Sequence, residues 1–142
     1  MKVISCAVAM LACLTAPSYA QTEDGPRASY VESGGSTIFY SLNAEQPLAS
    51  NRTVRIGVML LPQLIGATTS INQLIGRGEH RAVFGLGLML VRGGDARLSS
   101  GTATIGYRHM RRKGSFFQLA ATPFITTRGV HRYLGVSFGK SY

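Results

Sequence analysis

From residue 28 to residue 142, apolar side chains return at every second position in segments of roughly ten residues, separated by glycine, asparagine and serine. The clearest segment is 81–91, where Ala82, Phe84, Leu86, Leu88 and Leu90 face one way and Val83, Gly85, Gly87, Met89 and Val91 the other. A period of two is the signature of a strand, and two glycines on one face argue against a helix. Residues 52–61 set Val54, Ile56, Val58 and Leu60 against Thr53, Arg55, Gly57 and Met59. Residues 100–110 set Ala103, Ile105 and Tyr107 against Thr102, Thr104, Gly106 and Arg108, and 115–126 set Phe117, Leu119 and Ile125 against Phe116, Gln118, Thr122 and Phe124. The run 130–142 ends on an aromatic residue, with Leu134, Val136, Phe138, Lys140 and Tyr142 on the greasy face and Tyr133, Gly135, Ser137, Gly139 and Ser141 opposite.

Three further segments complete the series. Residues 28–32 and 37–48 are expected as the first two strands, joined by a turn at 33–36. Residues 68–75 form the fourth, although 62–75 also has the composition of a short helix. Turns are expected at 49–51, 76–79, 111–114 and 127–129, and 92–99 (RGGDARLS) reads as the longest loop. Sequential hairpins of this kind predict an all-β fold: an eight-stranded antiparallel up-and-down transmembrane β-barrel with short hairpin connections. A barrel of that size is filled by side chains and has no general transport channel.

Residues 1–20 have the layout of a signal peptide: one cation at Lys2, an apolar stretch, Pro17, and small residues around a cleavage position near Ala20. A lipoprotein anchored through Cys13 is the rival processing route. Residues 21–27 are a polar lead-in and 28–142 the barrel domain. Both cysteines, Cys6 and Cys13, fall inside the leader, so the mature chain is expected to use no disulfide and no thiolate.

Several short runs carry a resemblance. The stretch from Glu32-Ser33-Gly34-Gly35 to Tyr40-Ser41-Leu42-Asn43, the later GLGL at 85–88, TIGYR at 104–108, TPF at 122–124 and the closing LGVSFGKSY are similar to small, largely uncharacterised outer-membrane β-barrel proteins of the Bacteroidota type. Ala44 stands where that pattern has an aromatic residue, and Lys140 interrupts the terminal greasy row. A last strand closing on Tyr or Phe also resembles the sorting signal of outer-membrane barrels. The resemblance implies that Leu134, Val136, Phe138 and Tyr142 form the assembly signal, read by the barrel-assembly machinery, with the outer membrane of a Gram-negative bacterium as destination.

The candidate chemistry is sparse. The chain carries a formal charge of +9, which invites a nucleic-acid reading, but an exported chain has little access to nucleic acid. Arg92, Arg97 and Arg128 are expected at the outer rim, where they meet lipopolysaccharide phosphates or serve as solvated turn charges. Glu45, Arg55, Arg108 and Gln118 fall on the non-greasy faces and are expected to form an interior polar network, with Glu45 accepting from Arg55 on the adjoining strand. His80, His109 and His131 stand in separate segments without metal-ligand spacing, so no metal, cofactor or catalytic residue is expected. The resulting expectation is a monomeric outer-membrane barrel with a structural or surface role and no enzymatic activity, in contact with outer-membrane lipid. A soluble, lipocalin-like periplasmic barrel that binds a small apolar ligand is the alternative, and a lipid A-modifying enzyme the third.

Overall fold

The computed structural model of the chain describes residues 27–37, 39–126 and 129–142. The expected leader and Arg128 lie outside the described residues. The predicted alternations become β1 (Ala28–Gly34), β2 (Tyr40–Ala49), β3 (Arg52–Leu61), β4 (Leu64–Ile75), β5 (His80–Gly93), β6 (Ala96–Met110), β7 (Ser115–Thr126) and β8 (Gly129–Ser141). Each strand pairs antiparallel with its neighbour in sequence, and β8 returns to β1, so the sheet closes into an eight-stranded up-and-down barrel. At the seam Val31 lies opposite Phe138 and Ser33 opposite Val136. Closure leaves no unpaired sheet edge, which suits a fold without disulfides.

Three regions differ most from the sequence expectation, beyond shifts of one or two residues at other strand ends. The second strand begins at Tyr40, not at residue 37, because Gly34 and Gly35 adopt left-handed backbone angles (φ 73° and 68°) and fold Gly35–Thr37 into a 3-10 turn. That turn packs against β4, β7 and β8. A Cβ on Gly135 would lie 2.7 Å from the Gly35 Cα, so the close approach requires glycine there. The ambiguous stretch is a strand from Leu64, with Thr68, Ser70, Asn72 and Leu74 buried; hydrogen-bonded neighbours on both sides, β3 and β5, override any local helical preference. The expected loop 92–99 does not exist as a loop. β5 and β6 run on to Gly93 and Ala96 and are joined by a tight turn at Gly94 and Asp95, because the glycines and the aspartate serve a two-residue hairpin instead.

The faces follow the alternation. Outward rows carry Leu86, Leu134 and Phe138 at 73%, 74% and 62% exposure, while Glu45, Arg55 and Gln118 inside are each 1% exposed. A lipocalin-like barrel has the opposite arrangement, with apolar rows inward. The glycine face of β5 lacks room, as its sequence indicates: a Cβ on Gly87 would stand 2.6 Å from the Ser70 Cβ. No helix among the described residues is long and apolar enough to cross a membrane, which says nothing of strands.

Candidate functional site

Two groups of polar side chains are candidates, one inside the lumen and one on the rim beside the chain terminus. In the lumen, β1 contributes Tyr30 and Glu32, β2 Glu45, β3 Thr53 and Arg55, β6 Arg108 and β7 Gln118, all on buried alternation positions. Glu45 and Arg55 are direct register partners across β2 and β3. The expected Glu45–Arg55 ion pair nevertheless does not form. Arg108 instead donates from Nη2 to Glu45 Oε2 at 2.7 Å and from Nη1 to Glu45 Oε1 at 3.3 Å, and its Nε donates to Gln118 Oε1 at 2.8 Å. Thr53 Oγ1 donates to the same carboxylate.

Arg55 turns to a residue absent from the expected network, Glu32, with Nη1 to Oε2 at 3.5 Å and the Tyr30 hydroxyl at the same distance. Ser36 from the 3-10 turn donates to Glu32 Oε2 at 3.0 Å. The physical reason is reach. Side chains opposite each other on adjacent strands stand side by side, whereas Arg108, extended across the lumen, meets the Glu45 carboxylate with both arms and Arg55 reaches Glu32 through Nη1. Arg108 also lies over the Phe116 ring, 4.7 Å from its centroid, and Phe116 meets Tyr30 edge to face at 5.4 Å. The signal for Glu32 was present in the sequence, because it shares the parity of Tyr30; the SGGS that follows hid it by reading as a turn.

On the outer surface, Leu134, Phe138 and Tyr142 are exposed and Val136 is half-buried, all on one face of β8 and its end. The Tyr142 hydroxyl bonds Ser29 Oγ across the seam. Arg92 and Arg97 are both exposed and lie directly opposite each other on the β5–β6 hairpin; no ion pair among the described residues includes either.

The histidines stand in separate segments without metal-ligand spacing, yet the fold brings two of them together. Antiparallel register sets His80 opposite His109, with ring centroids 5.0 Å apart, and Glu79 precedes His80 on the turn. One donor atom from each of Glu79, His80 and His109 lies within 4.8 Å of the others. His80 Nδ1 is hydrogen-bonded to the Tyr107 hydroxyl, and the two rings stack. His131 lies near the opposite end, across from Phe124.

No family model matches the chain, and no curated protein does. Among solved structures, the backbone structure of the Yersinia pestis outer membrane protein Ail in phospholipid bilayer nanodiscs is similar, with a TM-score of 0.56 and 6% identity, over 84% of this chain and 100% of that one. At that identity the likeness is one of fold: the chain has the eight-stranded barrel architecture that Ail has.

Proposed function

We propose that the chain is a small integral β-barrel of a Gram-negative outer membrane, with a structural or surface role rather than a reaction or general transport. The observation that carries this reading is the inverted polarity of the barrel. Burying a charged pair inside while leaving Leu86, Leu134 and Phe138 exposed is costly in water and favourable in hydrocarbon. Fully exposed Leu and Phe side chains each forgo about 1.5–3 kcal/mol of burial in water. Strands of 10 to 15 residues from β2 to β8 are long enough to span a bilayer, which takes about 9–11 residues per tilted strand. The Bacteroidota-type resemblance belongs to the same proposal and is supported by short motifs alone.

Partners follow from the surface. Outer-membrane lipid covers the greasy rows, and the facing pair Arg92 and Arg97 supports contact with lipopolysaccharide phosphates, since two cations directly opposite each other repel unless an anion lies between them. The row Leu134, Val136, Phe138 and Tyr142 supports delivery to the barrel-assembly machinery. Cross-lumen ion pairs and the inward 3-10 turn support a closed interior.

Fractionation tests the reading. The expressed protein should sediment with outer membranes, resist urea extraction, and migrate differently on detergent gels before and after boiling. Recovery in the soluble periplasmic extract with no heat-dependent shift would overturn it. Reconstituted vesicles should stay tight to small sugars.

A further inference from the structure

We propose that Glu79, His80 and His109 form a divalent transition-metal site, suited to zinc, on the outer face of the barrel beside the chain terminus. The two imidazoles come from positions directly opposite on β5 and β6, where side chains on one face stand within reach of each other. Glu79 is held in place by its own backbone: its carbonyl accepts the Met110 N–H at 2.7 Å. The turn carrying the carboxylate is therefore tied to the end of β6, next to His109.

The donor set and spacing fit. Two imidazoles and a carboxylate are ordinary zinc ligands, leaving a fourth position for water. Their donor atoms already lie within 4.8 Å of one another. A tetrahedral ion with bonds of about 2.0–2.2 Å wants donors about 3.4 Å apart, so side-chain rotations of order 1 Å complete the site.

Two observations point to a ligand beyond the clustering itself. His109 Nδ1 is buried and has no hydrogen-bond partner, which is costly for a ring nitrogen whether it offers a proton or a lone pair. His80 Nδ1 is already engaged by the Tyr107 hydroxyl, so the ring is fixed with Nε2 left to bind. That is the outer-shell arrangement by which a ligating histidine is oriented and tuned. The competing contact is weak. Arg112 Nε lies 3.6 Å from Glu79 Oε1, and its side chain is 95% exposed, so an ion displaces it readily. Bound metal would clamp the β4–β5 turn to β5 and β6 at the base of the barrel.

The test uses the refolded chain in detergent, without a histidine tag, and zinc alone as the probe. Calorimetric titration should give one saturable site, weakened at least tenfold by His80→Ala, by His109→Ala and by Glu79→Gln, and several-fold by Tyr107→Phe. His131→Ala should bind as the unaltered protein does. A measurement free of substitution guards against variants that misfold: of the chain's three histidines, zinc should shift the ring resonances of His80 and His109 and leave those of His131, and cobalt should give the visible absorption of a tetrahedral site. Absence of saturable binding below about 1 mM, or binding indifferent to His80→Ala and His109→Ala, would overturn the proposal.

Discussion

Glu45 has two arginines within its surroundings and uses the one that is farther along the sheet. Arg55 is its register partner, yet Arg108 takes both carboxylate oxygens and Gln118 completes the arginine's coordination. Such a pair is fragile in one direction: losing one partner strands a charge in the lumen at a cost of about 3–5 kcal/mol. Glu45→Ala should therefore lower the stability of the folded barrel by that order, measured by urea unfolding in lipid vesicles. A double-mutant cycle separates the two arginines. Glu45 with Arg108 should couple by about 1–3 kcal/mol, and Glu45 with Arg55 by less than about 0.5 kcal/mol; the reverse ranking would restore the direct cross-strand pair. Glu32 is the better partner for Arg55 because the 3-10 turn brings Ser36 onto the same carboxylate and holds it.

At the scale of one element, β8 shows how position along a strand sets the cost of a charge. Its outward row is apolar from Leu134 to Phe138, and Lys140 follows, exposed, one alternation before Tyr142 at the end of the barrel. In the proposed bilayer setting the ammonium there would reach the interface by extending its stem. Moving the charge inward removes that escape. Val136→Lys should destabilise the folded protein by about 2–4 kcal/mol, whereas Lys140→Val should be nearly neutral. Urea midpoints in vesicles and the boiled-versus-unboiled gel shift report both. Equal effects at the two positions would mean that the row does not face hydrocarbon.

For the whole molecule, the ends of the barrel differ. β5 and β6, at 14 and 15 residues, are the longest of the eight strands, and their hairpin, at the end away from Arg27 and Tyr142, runs past the end of β7 while β4 stays paired with β5 up to Arg92. That hairpin carries the facing pair Arg92 and Arg97, while the histidine and carboxylate cluster sits at the other end of the same two strands. Among the described residues, Arg92 and Arg97 are the groups at that end on which the proposed headgroup contact rests. Replacing Arg92 and Arg97 together with Ala should weaken binding to lipopolysaccharide-containing vesicles several-fold and flatten its salt dependence, with binding to phosphatidylcholine vesicles unchanged. Equal binding by both forms would leave the pair as solvated turn charges.

Local alternation determined most of the architecture on its own. Because side chains on a strand point to opposite faces with a period of two, the rows of β3, β5, β7 and β8 and their separation into greasy and polar faces are legible in the sequence without any knowledge of neighbours. The same holds for the short connections, which for strands in sequence order imply a closed meander. Tertiary structure decided everything that depends on register and on reach across the lumen: that Glu45 meets Arg108, that Glu32 belongs to the network, and that His80 and His109 lie face to face. It also decided that RGGDAR is a tight hairpin rather than a loop, since its composition is the same in either and only pairing of the flanking strands tells them apart. Periodicity assigns a side chain to a face; the partner it finds there is a property of the closed barrel.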